Sequence, residues 1–203
     1  VKAVRYQLAH MCDASNLAYA CVTYLLTQDE QGEVSSHIIM AKSRLSPLKV
    51  LTVPRLELMG AVLAARQDEL IRRELGADIA LEESHFWSDS TIVLRYIYNR
   101  DKRYHTFVAN RIEVIRSITE PRQWSHIKGV DNTADDGSRG LSPQQLMTTR
   151  WLSGPSLLTE NPDLEWSQFE DTTLQDTDPE VKAQVFTTDV KAAQGQVGDN
   201  TPT

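Results

Sequence analysis

The stretch FWSDSTIVL, residues 86–94, decides how this chain is expected to fold. Two aromatic residues run into Asp89, and Ser90 and Thr91 then open a new apolar pattern. This is typical of a buried strand that ends where a helix begins, and it puts Asp89 at the carboxyl end of that strand. Because open α/β sheets bind their ligands at this end, the stretch predicts a carboxylate at the functional edge of a sheet.

Three strands and a long helix are predicted ahead of this stretch. Residues 4–12, 17–26 and 34–42 are rich in apolar, β-branched or aromatic side chains, and turn-forming segments separate them. This arrangement predicts an antiparallel meander. The helix is predicted to have Pro54 in its first turn and to end at Gly76.

The remaining pattern predicts two more strands and three more helices. The strands are expected over 84–89 and 122–130, and the helices over 91–98, over about 104–117, and from near Thr133 or Leu141 onwards. The order βββαβααβα predicts an α/β fold with one mixed, five-stranded sheet flanked by helices.

Length and composition predict one domain and a tail. The chain has 203 residues, of which 40% are hydrophobic, and this is enough for one sizeable core. Residues 161–203 hold nine acidic and two basic residues, so they account for the whole net charge of −7. Few of them are large and apolar, and we expect this segment to bury little surface. We therefore predict a domain over residues 1–158 and an acidic linker or disordered tail over 159–203.

Other features narrow the class of protein. Cys12 and Cys21 have neither metal-ligand spacing nor a disulfide pattern, and the five histidines are scattered, which argues against a zinc enzyme. No apolar run approaches the length of a membrane span or a secretory signal. We therefore expect an intracellular protein, or a piece of a longer one, that is not secreted and has no membrane partner.

Four acidic residues stand at the ends of predicted elements. Asp13 ends the first strand, Glu57 lies in the first turn of the long helix, Asp89 ends the fourth strand, and Asp135 lies where the last helix begins. Each residue alone is typical of a turn, a helix-dipole partner or a helix cap. If strands one and four are neighbours, however, Asp13 and Asp89 lie side by side and repel each other unless a cation neutralises them. Such oxygen ligands suit Mg²⁺ or Mn²⁺, and two of these ions about 3.5–4 Å apart promote phosphodiester cleavage.

Several segments, taken in order, resemble a known family. They are CDAS (12–15), AKSRLSPLKVLTVPRLELMGAVLAAR (41–66), FWSDSTIVLRYI (86–97), FVANRIEVI (107–115), HIKGVDNTADDGSRG (126–140) and RWLSGPSLL (150–158). Over residues 6–158 the chain is similar to the ribonuclease H domain in polyproteins of BEL/Pao-type long-terminal-repeat retrotransposons. The agreement of many segments is more specific than any single motif.

The resemblance implies a ribonuclease H-like fold that cuts the RNA strand of RNA–DNA hybrids with two Mg²⁺ ions, or with Mn²⁺. It implies that the catalytic and metal-binding residues are Asp13, Glu57, Asp89 and Asp135. It also implies adjoining reverse transcriptase and integrase regions in the same polyprotein, and a place in the cytoplasm or in the virus-like particle of a retroelement.

The fourth carboxylate stands where the chain departs from the family pattern. Related elements usually read NPAD where this chain reads NTAD at residues 132–135, and Asp136 adds a second acid. Thr133 can still cap a helix, so Asp135 is the predicted metal ligand, with Asp136 and Asp131 as rivals.

A basic stretch is a candidate for binding the hybrid. Residues 95–122 hold seven basic and three acidic residues, with tyrosines between them. Hybrid recognition depends on phosphates, shape and 2′-hydroxyls, so no base-specific set is expected. The predicted nucleic-acid-binding residues are Arg95, Arg100, Lys102, Arg103 and Arg111. His126 is expected to be packed or hydrogen-bonded.

Other functions fit the sequence less well. Residues 131–142 lack the glycine and the glutamate of a calcium loop, and the chain has no Asp-Thr-Gly or Asp-Ser-Gly of an aspartic protease. The position of Glu57 on the first long helix disfavours a DNA-directed nuclease or integrase. One alternative stays open, namely a non-catalytic ribonuclease H-like module with a structural or nucleic-acid-binding role, from a decayed or co-opted element.

Overall fold

One mixed sheet of five strands organises the chain, and the computed structural model describes residues 2–183 of it. The strands are β1 (Ala3–Ala14), β2 (Ala18–Asp29), β3 (Val34–Leu45), β4 (His85–Ser88) and β5 (Trp124–His126). They lie in the order β3-β2-β1-β4-β5. The first three form the predicted antiparallel meander, whereas β4 pairs in parallel with β1 and β5 in parallel with β4. The predicted fold class is therefore confirmed.

Within residues 2–183, five α-helices accompany the sheet. They are α1 (Val53–Leu75), α2 (Thr91–Tyr98), α3 (Thr106–Ile118), α4 (Ala134–Arg139) and α5 (Pro143–Thr148). The single helix predicted near Thr133 or Leu141 is in fact two short helices. Gly140 separates them with a φ of 88°, a left-handed conformation that glycine adopts at little cost.

Both faces of the sheet are covered, which explains why β1 is buried from Gln7 to its end. Helices α1 to α3 pack on one face, where Cys12 and Phe86 belong to their apolar core. The neighbouring residues Met11 and Trp87 point the other way and pack with residues that follow β5. The alternation along β1 and β4 thus serves two apolar layers.

The pairing of β1 with β4 brings two sequence-distant carboxylates to one edge. Cys12 lies opposite Ser88 in the parallel register. Asp13 and Asp89 are the next residues along these two adjacent strands. The first and fourth strands are neighbours, so the condition under which Asp13 and Asp89 lie side by side is met.

Residues 159–183 lie against the domain. Leu164, Phe169 and Leu174 are buried, and the rings of Trp166 and Trp87 meet edge to face with centroids 4.8 Å apart. The expectation that this segment buries little surface is wrong here, because single apolar residues spaced five apart pack on the domain without forming a regular element. The boundary at residue 158 stays a prediction, and residues 184–203 of the predicted tail lie outside the described residues.

We call residues 159–183 the acidic strap. Within residues 2–183, no helix is both long and apolar enough to cross a membrane.

Candidate active site

The four predicted carboxylates act on one another electrostatically. Asp13 is only 6% exposed near the end of β1, and burial raises the pKa of its carboxyl group. The negative charges of Asp89 and Asp135 raise this pKa further, and Asp89 and Asp13 likewise raise the pKa of Glu57. The fold therefore brings together residues from β1, α1, the end of β4 and α4.

Asp13 is held by a residue of α4. The Ser138 hydroxyl donates a hydrogen bond of 2.5 Å to Asp13 Oδ2, and this bond lowers the carboxyl pKa against the effect of burial. The backbone oxygen of Ser138 in turn accepts a 2.8 Å hydrogen bond from Ser15. Two contacts thus fix α4 to the end of β1.

Glu57 reaches the site because α1 crosses β1 closely at Gly60. A Cβ at Gly60 would lie 3.0 Å from the backbone oxygen of Asp13, so a larger residue would push the helix away. The Ser90 hydroxyl, at the start of α2, donates a hydrogen bond to the Glu57 carboxylate. Burial is the main cause of the raised Glu57 pKa, and the Ser90 hydrogen bond opposes it.

Asp89 is oriented by the turn before α4. Asn132 Nδ2 donates to the backbone oxygen of Cys12 at 2.9 Å and to Asp89 Oδ1 at 3.3 Å, so one side chain ties the ends of β1 and β4. Asn132 Oδ1 also accepts from the backbone N–H of Ala134, at the start of α4 (3.1 Å). A Cβ at Gly129 would lie 3.1 Å from Asp89 Oδ2, so an alanine there would have to displace the carboxylate by a few tenths of an ångström.

Electrostatics favours Asp135 over its two rivals as the fourth carboxylate, because its charge, and not theirs, is among the causes that raise the pKa of Asp13. Asp135 pairs with Arg139 one helical turn later, at 2.5 Å, and its charge acts on Asp13. Asp131 pairs across 3.4 Å with an arginine that follows α5. Asp136 is half-buried, and burial together with the charge of Asp135 raises its pKa. The assignment of Asp135 as a metal ligand stays a prediction.

The oxygen donors and the negative charge of the carboxylates suit a divalent metal, but the side chains do not converge on one point. Among residues 2–183, no three His, Cys, Asp or Glu side chains converge as a ready metal site. Ser138, Ser90 and Arg139 instead bind carboxylate oxygens. Burial is the main cause of the raised pKa values of Asp13 and Glu57, and the charges of neighbouring carboxylates add to it; a hard cation would relieve that repulsion.

The acidic strap engages two of the predicted nucleic-acid-binding residues. Arg95 on α2 forms an ion pair with Asp171. Lys102, in the loop after α2, pairs with Asp176 at 2.9 Å and also donates to a backbone oxygen of the strap. These cations therefore already have anionic partners.

The other three predicted residues do not form one surface. Arg100 and Arg103 line a shallow depression of about 630 Å³ together with Lys102. Arg111 lies in a different cavity, on α3, where its guanidinium stacks 3.4 Å from the centroid of the Phe107 ring. The binding role of all five residues stays a prediction.

The sequence did not show which side chains hold the carboxylates in place. Ser138 and Asn132 belong to the segment that resembles the family, but its letters do not tell which carboxylate each one contacts. His126, expected to be packed or hydrogen-bonded, is exposed at the end of β5 opposite Ser88.

The amino-terminal part of the chain matches a known protein family. Residues 1–90 match the family described as Pao retrotransposon-like RNaseH-like domain, which confirms the predicted resemblance for that part of the chain. A comparison with curated protein sequences gave no match.

Among solved structures, this chain is similar to an N-terminal RNase H domain from Mycobacterium tuberculosis, solved as a fusion with maltose-binding protein. That domain is 12% identical, with a TM-score of 0.42, and the alignment covers 65% of this chain and 89% of the other. LC11-RNase H1, isolated from compost by a metagenomic approach, is 15% identical with a TM-score of 0.42, over 66% of this chain and 91% of that one. RNase H1 from Halobacterium salinarum is 12% identical with a TM-score of 0.37, over 72% and 100%.

Proposed function

We propose that this chain, whose first 90 residues match the Pao-type family, is a metal-dependent endonuclease that hydrolyses the RNA strand of RNA–DNA hybrids. The observation that carries the proposal is the meeting of Asp13 and Asp89 at the ends of two adjacent parallel strands. Glu57 from α1 and Asp135 from α4 complete a set of four carboxylates whose charges interact.

The chemistry assigns a role to each group of residues. Asp13, Glu57, Asp89 and Asp135 would hold two Mg²⁺ ions, or Mn²⁺, and such ions activate a water and stabilise the leaving oxygen of a phosphodiester. Ser138, Ser90 and Asn132 orient the carboxylates through the hydrogen bonds described above. Since Arg139 neutralises part of the negative charge of Asp135, this arginine must move or share the carboxylate when a cation binds.

The substrate and setting follow from the same proposal. A hybrid duplex is distinguished by its shape and by the 2′-hydroxyls of one strand, so binding depends on backbone contacts and not on base sequence. Reverse transcriptase and integrase regions of the same polyprotein are the proposed partners, in the cytoplasm or in a virus-like particle.

The direct test is cleavage of an end-labelled RNA–DNA hybrid by the folded chain, beside RNA duplex and DNA duplex controls. We expect cutting confined to the RNA strand of the hybrid, present with Mg²⁺ and absent with a chelator. Equal cutting of the DNA duplex, or cutting that survives chelation, would contradict the proposal.

A non-catalytic nucleic-acid-binding module is the second candidate. It is favoured by the hydrogen bonds and ion pair that already engage all four carboxylates within the described residues. This candidate predicts that the folded chain binds the hybrid but does not cut it with Mg²⁺ or Mn²⁺, even when a reverse transcriptase region is supplied.

A further inference from the structure

A groove of about 390 Å³ lies between α1, α3 and the strands β2 and β3, outside the carboxylate site. Apolar side chains from β3, α1 and α3 form part of its lining, among them Met40, Val62, Leu70 and Val114. A groove of this size can receive part of an extended ligand.

The charge of this groove is entirely positive. Its lining includes Lys42, Arg44, Arg66 and Arg111 and contains no aspartate or glutamate. Within the described part of the chain, Lys42, Arg44 and Arg66 form no ion pair, in contrast to Arg95 and Lys102, which pair with the acidic strap. Four cations without a carboxylate are complementary to a ligand with several negative charges.

Within the described residues, Gln67 belongs to the groove lining and has a buried side-chain acceptor without a partner. Gln67 is only 3% exposed, and its Nε2 donates to Thr23 Oγ1 at 2.6 Å and to the backbone oxygen of Met40 at 3.2 Å. Its Oε1 is buried and accepts no hydrogen bond in residues 2–183. Buried acceptors are normally satisfied, so this atom indicates a bound water or ligand that carries an N–H or O–H donor.

One end of the groove adjoins the carboxylates. Tyr19 lies in the groove and pairs across the sheet with Ala14, the residue after Asp13. On α1, the groove begins at Met59, two residues after Glu57, and extends to Leu70. The eleven helical steps from Met59 to Leu70 span about 16 Å, which matches the rise of about five nucleotides in a duplex strand.

From these observations we infer that the groove binds the sugar–phosphate backbone of a nucleic-acid strand that continues from the carboxylate site. The inference rests on the proposed function and extends it, because it assigns backbone contacts to Lys42, Arg44, Arg66 and Arg111. Phosphates pair with these side chains, and a sugar hydroxyl is the donor that a strand can bring to Gln67.

The test measures binding separately from cleavage. The dissociation constant of the full chain for a labelled RNA–DNA hybrid is measured by fluorescence anisotropy in a chelator, over a range of salt concentrations. The variant Arg44→Gln/Arg66→Gln is compared with Lys2→Gln, which changes an exposed basic residue just before β1, at the end of that strand away from Asp13. Melting temperatures verify that all variants fold.

Removing two phosphate contacts should weaken hybrid binding about tenfold near 0.1 M salt and reduce the salt slope by about two. Lys2→Gln should leave that slope unchanged. Wild-type affinity and slope in the double variant would overturn the inference. It would also be overturned if polyglutamate binding, but not hybrid binding, responded to the double variant, because the groove would then receive an acidic protein segment.

The two proposals fail in different ways. A chain that binds the hybrid through the groove but never cuts it would leave the groove assignment standing and disprove the nuclease. If the chain cuts the hybrid and the double variant binds it with unchanged affinity, the nuclease proposal stands and the groove assignment is disproved.

Discussion

The Ser138 hydroxyl in α4 donates a 2.5 Å hydrogen bond to the Asp13 carboxylate in β1, across 125 positions of sequence. Both residues are buried, so water does not compete strongly for this contact. The bond fixes one carboxylate oxygen and also holds α4, with Asp135, against the end of the first strand. It is a contact on which the geometry of the four carboxylates depends.

Replacing Ser138 with alanine should weaken metal binding more than it weakens the fold. Partners of metal ligands typically contribute about 10- to 100-fold to metal affinity or activity, so we expect the Mg²⁺ concentration for half-maximal cleavage to rise at least about tenfold. Saturating Mg²⁺ should restore most of the rate. Ser117→Ala, which changes an exposed serine of α3, is the matched control. An unchanged Mg²⁺ dependence would show that Ser138 does not position Asp13.

The acidic strap should contribute to stability. Phe169 is 8% exposed and its ring centroid lies 5.8 Å from that of Tyr98, so Phe169→Ala removes a buried aromatic contact. We expect a loss of about 3 kcal/mol in the free energy of unfolding, which corresponds to a melting temperature lower by roughly 6–12 °C. Circular dichroism during heating measures this change.

Glu160→Ala, at an exposed position of the strap, serves as the control for that measurement. A melting temperature that is unaffected by Phe169→Ala would mean that the strap does not stay on the domain in solution.

Acid should destabilise the domain through His85. Burial lowers the pKa of His85 to about 3, and its Nε2 lies 2.8 Å from Ser125 Oγ. The unfolded chain binds the proton near the ordinary pKa of 6.5, so stability is lost as pH falls below about 6.5, by about 1.4 kcal/mol per pH unit while only the unfolded state is protonated. Burial also lowers the pKa of His10, which acts in the same direction.

Urea unfolding at pH 7, 6 and 5 tests this dependence. The variant His85→Gln should show a smaller loss of stability between these pH values than the wild type, whereas His37→Gln, at an exposed position, should not. Equal pH dependence in wild type and His85→Gln would show that His85 is not the group responsible.

The strand arrangement could be predicted because alternation and turn residues act locally. The meander, the helix that begins near Pro54 and the strand that ends at Asp89 all appear close to their predicted places. The adjacency of β1 and β4, which places Asp13 beside Asp89, depends on topology, and the sequence indicated it only as one possible arrangement.

Contacts between side chains far apart in sequence could not be predicted. Nothing local indicates that Ser90 binds Glu57, 33 positions away, or that Asp171 binds Arg95, 76 positions away. The strap was misjudged because an acidic composition with few apolar residues resembles disorder, whereas Phe169 has a buried place on the domain.

The most direct test of the central claim is hybrid cleavage by Asp89→Asn, with Asp78→Asn as a control at an exposed position in the loop between α1 and β4. A metal ligand contributes several kcal/mol of transition-state stabilisation, so we predict that Asp89→Asn lowers the Mg²⁺-dependent rate by about a thousandfold. The melting temperature without metal should not fall, because one repelling charge is removed. Asp78→Asn should cleave at the wild-type rate. Wild-type cleavage by folded Asp89→Asn would contradict the assignment of these carboxylates as the catalytic centre.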